Sequence, residues 1–318
     1  MTLKQFRYIC EVVRQGLRLS TAAAVVETSQ PGVSKQIQLL ERELGVMIFR
    51  RNRNRILSLT PAGKEIVKFA ETALRAAQSI EDIGRDARDR DGGDLVIATT
   101  HTHARYTLPN VMQSFAVRHP KVRLHFLQGH RNDIFKAVEE GEADIAIGTD
   151  SDEKLEAVAL IPYGSFHRIA VTPRGHPLLR TKRVTLQQLL EYPLIMYGLQ
   201  YRKPWKLNHI FEEKQLTPNV VFSAADADIA KTYVEMGTGI AILPHVTFDR
   251  AKDKSLRFVD VSHLFPAEVT QVGLSREQYV RRDIFDFLGM LSPKLTRAYI
   301  RSALTSGARQ PDTRSSEL

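Results

Sequence analysis

The sequence has little with which to cross-link or to build a metal site. A single cysteine, Cys10, among 318 residues excludes an internal disulfide and any cysteine-built metal cluster, and leaves apolar packing as its expected role. No apolar run approaches the roughly 20 residues needed to span a bilayer, so a membrane protein is not expected. Met1-Thr-Leu-Lys-Gln enters an amphipathic pattern at once, without the uninterrupted apolar core of a secretory signal, and the protein is expected to stay in the cytoplasm. Catalytic signatures are missing as well. There is no Gly-x-Ser-x-Gly elbow, no His-Glu-x-x-His and no phosphate-cradling P-loop, and GTGIAI lacks the third glycine of a dinucleotide fingerprint. A binder without a cofactor is expected, not an enzyme.

What the sequence does have is unevenly placed positive charge. Residues 1–60 hold ten Lys/Arg against four Glu, a net +6 of the chain's +9. Two-thirds of the excess in under one-fifth of the chain is the electrostatic footprint of a nucleic-acid-binding module; a generally basic surface is the alternative. At this length more than one domain is expected.

Leu3, Phe6, Ile9 and Val13 recur at helical spacing, and Gly16 ends that helix. A short second helix follows with Ser20 as its expected cap and Ala22, Ala23 and Val26 on its packing face. Thr28-Ser29 breaks it. The third helix opens at SQPGVSK, with Pro31 in its first turn, Gly45 as its stop, and Val33, Ile37, Leu40 and Leu44 on one face. This is the helix-turn-helix pattern, and Gln30, Ser34 and Lys35 are residue types that can read a major groove, although a solvated helix face would look the same. FRRNRNRILSLTPAG then presents Arg50, Arg51, Arg53 and Arg55 around a polar turn before an alternating run. It reads as a basic hairpin, or wing, suited to phosphates or a narrow minor groove.

From Pro61 the apolar residues Ile66, Phe69, Ala73, Ala76, Ile80, Ile83 and Ala87 alternate spacings of three and four. Such a seam on a long helix is expected to pair with a second copy. The helix runs into ARDRDGGD, where Gly92-Gly93 marks the boundary.

Residues 94 to 300 alternate short apolar strands with helical stretches, which argues for parallel sheets with covering helices. DLVIATT, VRLHFLQG and ADIAIGT build one lobe, with helices from about Arg105 to Val117 and from about Asn132 to Glu140; RIAVTP, PLIMYG, NVVFSA and GIAILP build another. EVTQVGLS and the helix after it return to the first. In open α/β sheets ligands sit beyond the carboxyl ends of strands. The stretch ATTHTHARY, residues 98–106, occupies such a place. His101 and His103 have His-x-His spacing, but no third ligand completes a zinc signature, so no metal is expected. Thr100 and Thr102 are a cradle for a small anion or, equally on these residues alone, helix caps.

AAAVVETSQPGVSKQIQLLERELGVMIFRR and LTPAGKE resemble the winged helix-turn-helix of the LysR-type transcriptional regulators. TTHTHARYTLP and FSAADADIAKTYVEMGTGIAIL are similar to the CysB/Cbl-like subgroup, which controls sulfur assimilation and cysteine biosynthesis. The resemblance implies an α/β fold with an N-terminal winged helix-turn-helix (1–60), a linker or dimerisation helix (61–91), and a two-lobed effector domain resembling periplasmic binding proteins (92–302). Lobe I spans about 92–163 and 267–302, lobe II about 164–266, and 303–318 is expected to be a disordered tail. It implies promoter contacts from Ser29, Gln30, Pro31, Ser34, Lys35, Arg50, Arg51, Arg53 and Arg55. It implies an effector site of Thr100, Thr102, His103, Gly129 and Thr149 on one lobe, with Phe166 and Arg202 from the other, and a dimerisation seam of Ile66, Phe69, Ala73, Ala76, Ile80 and Ile83. Implied partners are promoter DNA, a small anionic sulfur-pathway effector, further copies of the chain as a dimer or tetramer, and RNA polymerase. His103 stands where the subgroup has Gln, Phe166 where it usually has Trp, and Arg202 where it has Thr. The guanidinium fork of Arg202 suits carboxylate, sulfonate or sulfate. The competing expectations are a LysR-type regulator of another anion-responsive pathway, a solute-binding protein, and an enzyme using His101 and His103.

Overall fold

The structure is a computed structural model that describes residues 1–52, 55–88, 92–149, 155–197 and 207–306. It divides into two compact units, Met1–Arg90 with Glu277–Arg281, and the remainder.

The first unit opens with α1 (Leu3–Arg14), started by a capping box between Thr2 and Gln5. Then come α2 (Leu19–Val25) and α3 (Gln30–Leu44), the β1 (Phe49–Asn52) and β2 (Arg55–Leu59) hairpin, and the 27-residue α4 (Pro61–Ala87). Gly16 takes a left-handed φ of 61° after α1, and Gly45 one of 69° at the end of α3, as the helix-stop reading expects. One expectation fails: α2 begins at Leu19 with Arg18 as its N-cap and no side-chain cap, so Ser20 lies inside the helix. Ile9, Val12, Ala22, Val33, Ile37, Leu40, Ile48 and Phe49 form one closed core. Cys10 is buried in it, and burial pushes its thiol up to about 12, consistent with a packing role.

α4 packs on this core through Gly63, Val67 and Ala70. Its start is held by Thr60, whose hydroxyl accepts from the Gly63 amide at 2.8 Å and donates to the Met47 carbonyl at 2.6 Å. Gly63 is required there, because a Cβ would stand 2.0 Å from the Ile48 carbonyl oxygen.

The second unit holds two five-stranded sheets. The first has the order β4-β3-β5-β12-β6, from β3 (Gly93–Thr99), β4 (Val122–Gln128), β5 (Ile145–Thr149), β6 (Val158–Phe166) and β12 (Glu268–Ser275). β3, β4 and β5 run parallel, and β12 runs antiparallel between β5 and β6. The second has the order β11-β7-β10-β8-β9, from β7 (Arg168–Pro173), β8 (Leu194–Tyr197), β9 (Val220–Ala224), β10 (Ile240–Pro244) and β11 (Leu256–Asp260). α5 (Pro109–Arg118), α6 (Arg131–Glu139), α10 (Arg282–Leu291) and α11 (Arg297–Thr305) accompany the first sheet, and α9 (Ala227–Glu235) covers the second, with α7 (Leu186–Leu190) and α8 (Asn208–Glu213) between strands. α6 seats closely because Gly148 and Gly273 leave room for it. Added Cβ atoms would lie 2.5 Å from Ile134 and 2.7 Å from Phe135.

β6 and β11 were not legible in the sequence, and β6 changes an assignment. Phe166 pairs with Glu268 of β12, so it belongs to the first sheet and not to the second lobe. The chain crosses between sheets twice, through His167 alone and again between Asp260 and Glu268. The helix expected from about Arg105 is also subdivided, with a π-helical turn His103–Thr107 before α5. α11 extends to Thr305, so residues 303–305 are helical, and 307–318 lie outside the described residues.

Candidate functional site

In the first unit the amino end of α3 is the exposed polar element. Ser29 caps it, accepting from the Gly32 amide at 3.2 Å. Gln30, Pro31 and Lys35 are exposed and Ser34 half-buried, while Val33 and Ile37 are fully buried on the core side. The positive dipole end of α3 lies at the same end as these side chains.

The wing divides the arginines. Arg50 and Arg55 are exposed, and Arg53 lies outside the described residues. Arg51 is turned inward. Its Nη2 donates to Glu41 Oε2 at 3.1 Å, and Glu41 is 4% exposed. Glu41 Oε1 accepts from the Ile48 and Phe49 amides at 2.9 and 3.1 Å. One carboxylate on α3 thus fastens the wing to that helix, and Arg51 neutralises it. Strand alternation, with Phe49 buried and Arg50 exposed, was the signal that separates Arg51 from its neighbours.

On α4 the expected seam lies away from the core face. Ile66 packs partly on the core, but Phe69, Ile80 and Ile83 are 68%, 71% and 49% exposed; Ala76 is exposed and Ala73 half-buried.

In the second unit the expected effector residues gather on one edge. Thr100 follows β3, Gly129 follows β4, Thr149 ends β5 and Phe166 ends β6, which places all four at the carboxyl ends of parallel strands; Glu268 opens the antiparallel β12 at the same edge. Thr149 pairs with Thr270, and the Gly129 amide donates to the Thr99 carbonyl at 3.2 Å. Thr102 and His103 are buried. The Thr100 hydroxyl lies 3.0 Å from His103 Nδ1, and the Thr102 hydroxyl is hydrogen-bonded to Tyr197 OH at the carboxyl end of β8 in the second sheet. Burial holds the His103 imidazole down to about 4, partly offset by Glu268, so it is neutral at physiological pH and acts as a hydrogen-bonding group. The ring of Phe166 stands 6.5 Å from that of His103. Arg202 falls in 198–206, outside the described residues.

The two histidines part company. His103 faces Thr100 and Phe166, whereas His101 lies with Asp226 and Asp228, all three ligand atoms within 4.8 Å of one another. Both carboxylates are already engaged. Asp226 caps α9 through the Ile229 amide at 2.9 Å; Asp228 accepts from Tyr106 OH at 2.6 Å and pairs with Arg105 at 3.4 Å. These contacts join the β3 loop to the start of α9.

Three residues at this edge escaped the sequence reading: Tyr197, Arg168 and Glu268. Arg168 opens β7 and its Nη2 lies 2.5 Å from Glu268 Oε1, both groups being at least nine-tenths buried. The one sequence cue was a lone arginine at the head of the apolar run RIAV.

Two family descriptions match the chain. Residues 3–64 match the bacterial regulatory helix-turn-helix protein, lysR family, and residues 88–295 match the LysR substrate binding domain. The chain belongs to the LysR family. It is a transcriptional regulator with a helix-turn-helix DNA-binding domain, as its relatives are, and not an enzyme. It is 42% identical to the HTH-type transcriptional regulator CysB of Burkholderia cenocepacia, over 97% of this chain and 98% of that one. It is 39% identical to SsuR of the same organism, over 96% and 99%. The cofactor-binding domain of the Cbl transcriptional regulator is similar in structure, with a TM-score of 0.61 and 34% identity over 68% of this chain and 95% of that domain. Within the LysR family the chain therefore falls in the CysB/Cbl-like subgroup. Among its described residues, no helix is long and apolar enough to cross a membrane.

Proposed function

We propose that this LysR regulator acts in the cytoplasm on genes of sulfur assimilation, cysteine biosynthesis or organosulfur utilisation, and that a small anionic compound of that metabolism is its effector. The observation that carries this reading is the edge itself. Threonine hydroxyls and a neutral imidazole gather there with an aromatic ring, in a chain similar throughout to CysB and SsuR. Thr100, Thr102, His103, Gly129, Thr149 and Phe166 hold the effector, with Arg202 as a further anion contact. An acetylated serine, sulfate or a sulfonate fits the hydrogen-bonding character of this set.

Promoter DNA is held by Gln30, Pro31, Ser34 and Lys35 at the amino end of α3, which Ser29 caps, and by Arg50, Arg53 and Arg55 of the wing. Arg51 serves the wing's own geometry. The seam of α4, Ile66, Phe69, Ala73, Ala76, Ile80 and Ile83, pairs copies of the chain mainly through its exposed members, and RNA polymerase is the partner at the promoter. Effector binding biases the arrangement of the two lobes and hence of the paired DNA-binding units.

Calorimetric titration of the purified chain with sulfate, thiosulfate, O-acetylserine, N-acetylserine and short aliphatic sulfonates tests the effector reading. Saturable binding of at least one is expected. Heat from none of them, in protein that still binds a promoter fragment in a salt-dependent way, would remove the sulfur anion from the account and leave the regulator.

A further inference from the structure

Arg168 is 4% exposed, and among the described residues only one of its three guanidinium nitrogens has a partner. Nη2 donates to Glu268. Nε and Nη1 are buried with no hydrogen-bond partner among the described residues, which leaves at least three of the five N–H donors without an acceptor there. Buried donors are nearly always satisfied, and a guanidinium loses the most when they are not. Its surroundings are those of the proposed effector edge. The guanidinium carbon lies 5.6 Å from the centre of the Phe166 ring. The charges of Arg168 and Glu268 both act on the Tyr197 phenol, and that of Glu268 acts on His103. Among the described residues, Arg105 also lies close to this edge, but it is more than half exposed and engaged with Asp228. Position adds to chemistry. Arg168 begins β7 directly after the first crossover between the sheets, and Glu268 begins β12 directly after the second. The pair therefore ties together the two connections about which the lobes are joined.

We infer that Arg168 receives the anionic group of the effector, and that Glu268 competes with that group for the same guanidinium, so that anion binding loosens the ion pair joining the two crossovers. This rests on the reading of the edge as the effector site, and it names both the charge and the coupling of that site. The ligand class is an oxyanion, carboxylate, sulfonate or sulfate, whose oxygens accept from the free Nε–H and Nη1–H groups. The negative charge added beside Glu268 then weakens the pair by like-charge repulsion.

Calorimetry with sodium sulfate, N-acetylserine and a short aliphatic sulfonate, on the full chain and four variants, tests it. Arg168→Gln is expected to weaken the best oxyanion roughly tenfold or more, the size of a lost charge-assisted hydrogen bond. Glu268→Gln is expected to tighten it, because the competing charge is gone and the amide oxygen still accepts. A purely structural ion pair would not produce tighter binding. Should Arg168→Gln fail to fold, Arg168→Met with Glu268→Met removes both charges together, which buried ion pairs tolerate better than loss of one partner; it is expected to bind promoter DNA yet respond to no oxyanion. Arg202→Ala removes the further anion contact and is expected to weaken oxyanion binding less than Arg168→Gln does. Wild-type affinity in Glu268→Gln and in the double variant would overturn the inference while leaving the effector site standing. A wild-type chain that binds none of the probes would instead remove the effector reading beneath it.

Discussion

Glu41→Ala should undo the wing. Glu41 is almost fully buried, and its carboxylate accepts from the Ile48 and Phe49 amides and from Arg51 at 2.9 to 3.1 Å. Truncation leaves a part-buried guanidinium and two buried amides without their acceptor. Breaking a buried pair from one side costs about 3–5 kcal/mol, a large share of the roughly 5–15 kcal/mol that holds a domain folded. Glu41→Gln keeps an oxygen for the amides and loses the charge, so about 1–2 kcal/mol is expected. The loss is local to the junction of α3, β1 and β2, and hydrogen exchange over residues 46–52 of the full chain reads it directly. A loss of 3 kcal/mol corresponds to roughly hundredfold faster exchange of those amides. Promoter affinity should fall with it, because the wing arginines lose their fixed register to α3. Protection at Ile48 and Phe49 and promoter affinity both unchanged in Glu41→Ala would refute the anchoring role.

The remaining expectations concern the other elements. His103 has a folded-state value of about 4 against 6.5 unfolded, so the unfolded chain binds the extra proton and stability from this group is present above pH 6.5 and lost as pH falls toward 4. At 1.36 kcal/mol per pH unit the full effect is about 3 kcal/mol. His103→Gln should flatten that part of the stability–pH curve measured by urea unfolding, and an unchanged slope would contradict it. Gly63→Ala should lower the melting temperature by the equivalent of about 1–3 kcal/mol or more, because the new Cβ meets a backbone carbonyl; helix propensity alone predicts a gain of about 1 kcal/mol, so the sign decides. Arg50→Ala should reduce the salt slope of promoter binding by about one while leaving stability intact, whereas Arg51→Ala should lower stability first. Phe69→Glu with Ile80→Glu should shift sedimentation toward a smaller species, and an unchanged sedimentation coefficient would exclude the α4 seam as the pairing surface.

The helices of the first unit were legible because their signals are local. Ser29, Pro31 and Gly45 mark the ends of α3, and Val33, Ile37 and Leu40 recur at its period. The strands β3, β5, β7 and β10 were legible as short apolar runs between turns. β6 was not, since Pro162 and Gly164 interrupt it and its order comes from pairing with β12, over a hundred residues away. The site was half legible. Strand-end threonines identify an edge, but nothing in HTHAR states that His101 turns to Asp226 and Asp228 while His103 turns to Thr100 and Phe166; a π-helical turn within the packed loop separates them.

From the residues alone one could read a basic helix-turn-helix with a wing, a long helix with an apolar seam, and an alternating α/β effector half, because caps, periods and charge density act between neighbours in the chain. The partner of Arg51, the sheet to which Phe166 belongs, and the meeting of Arg168 with Glu268 came from the folded structure. Each depends on which distant backbone a strand pairs with. A buried charge shows its meaning only when the group that neutralises it, and the donors left over, are in place around it.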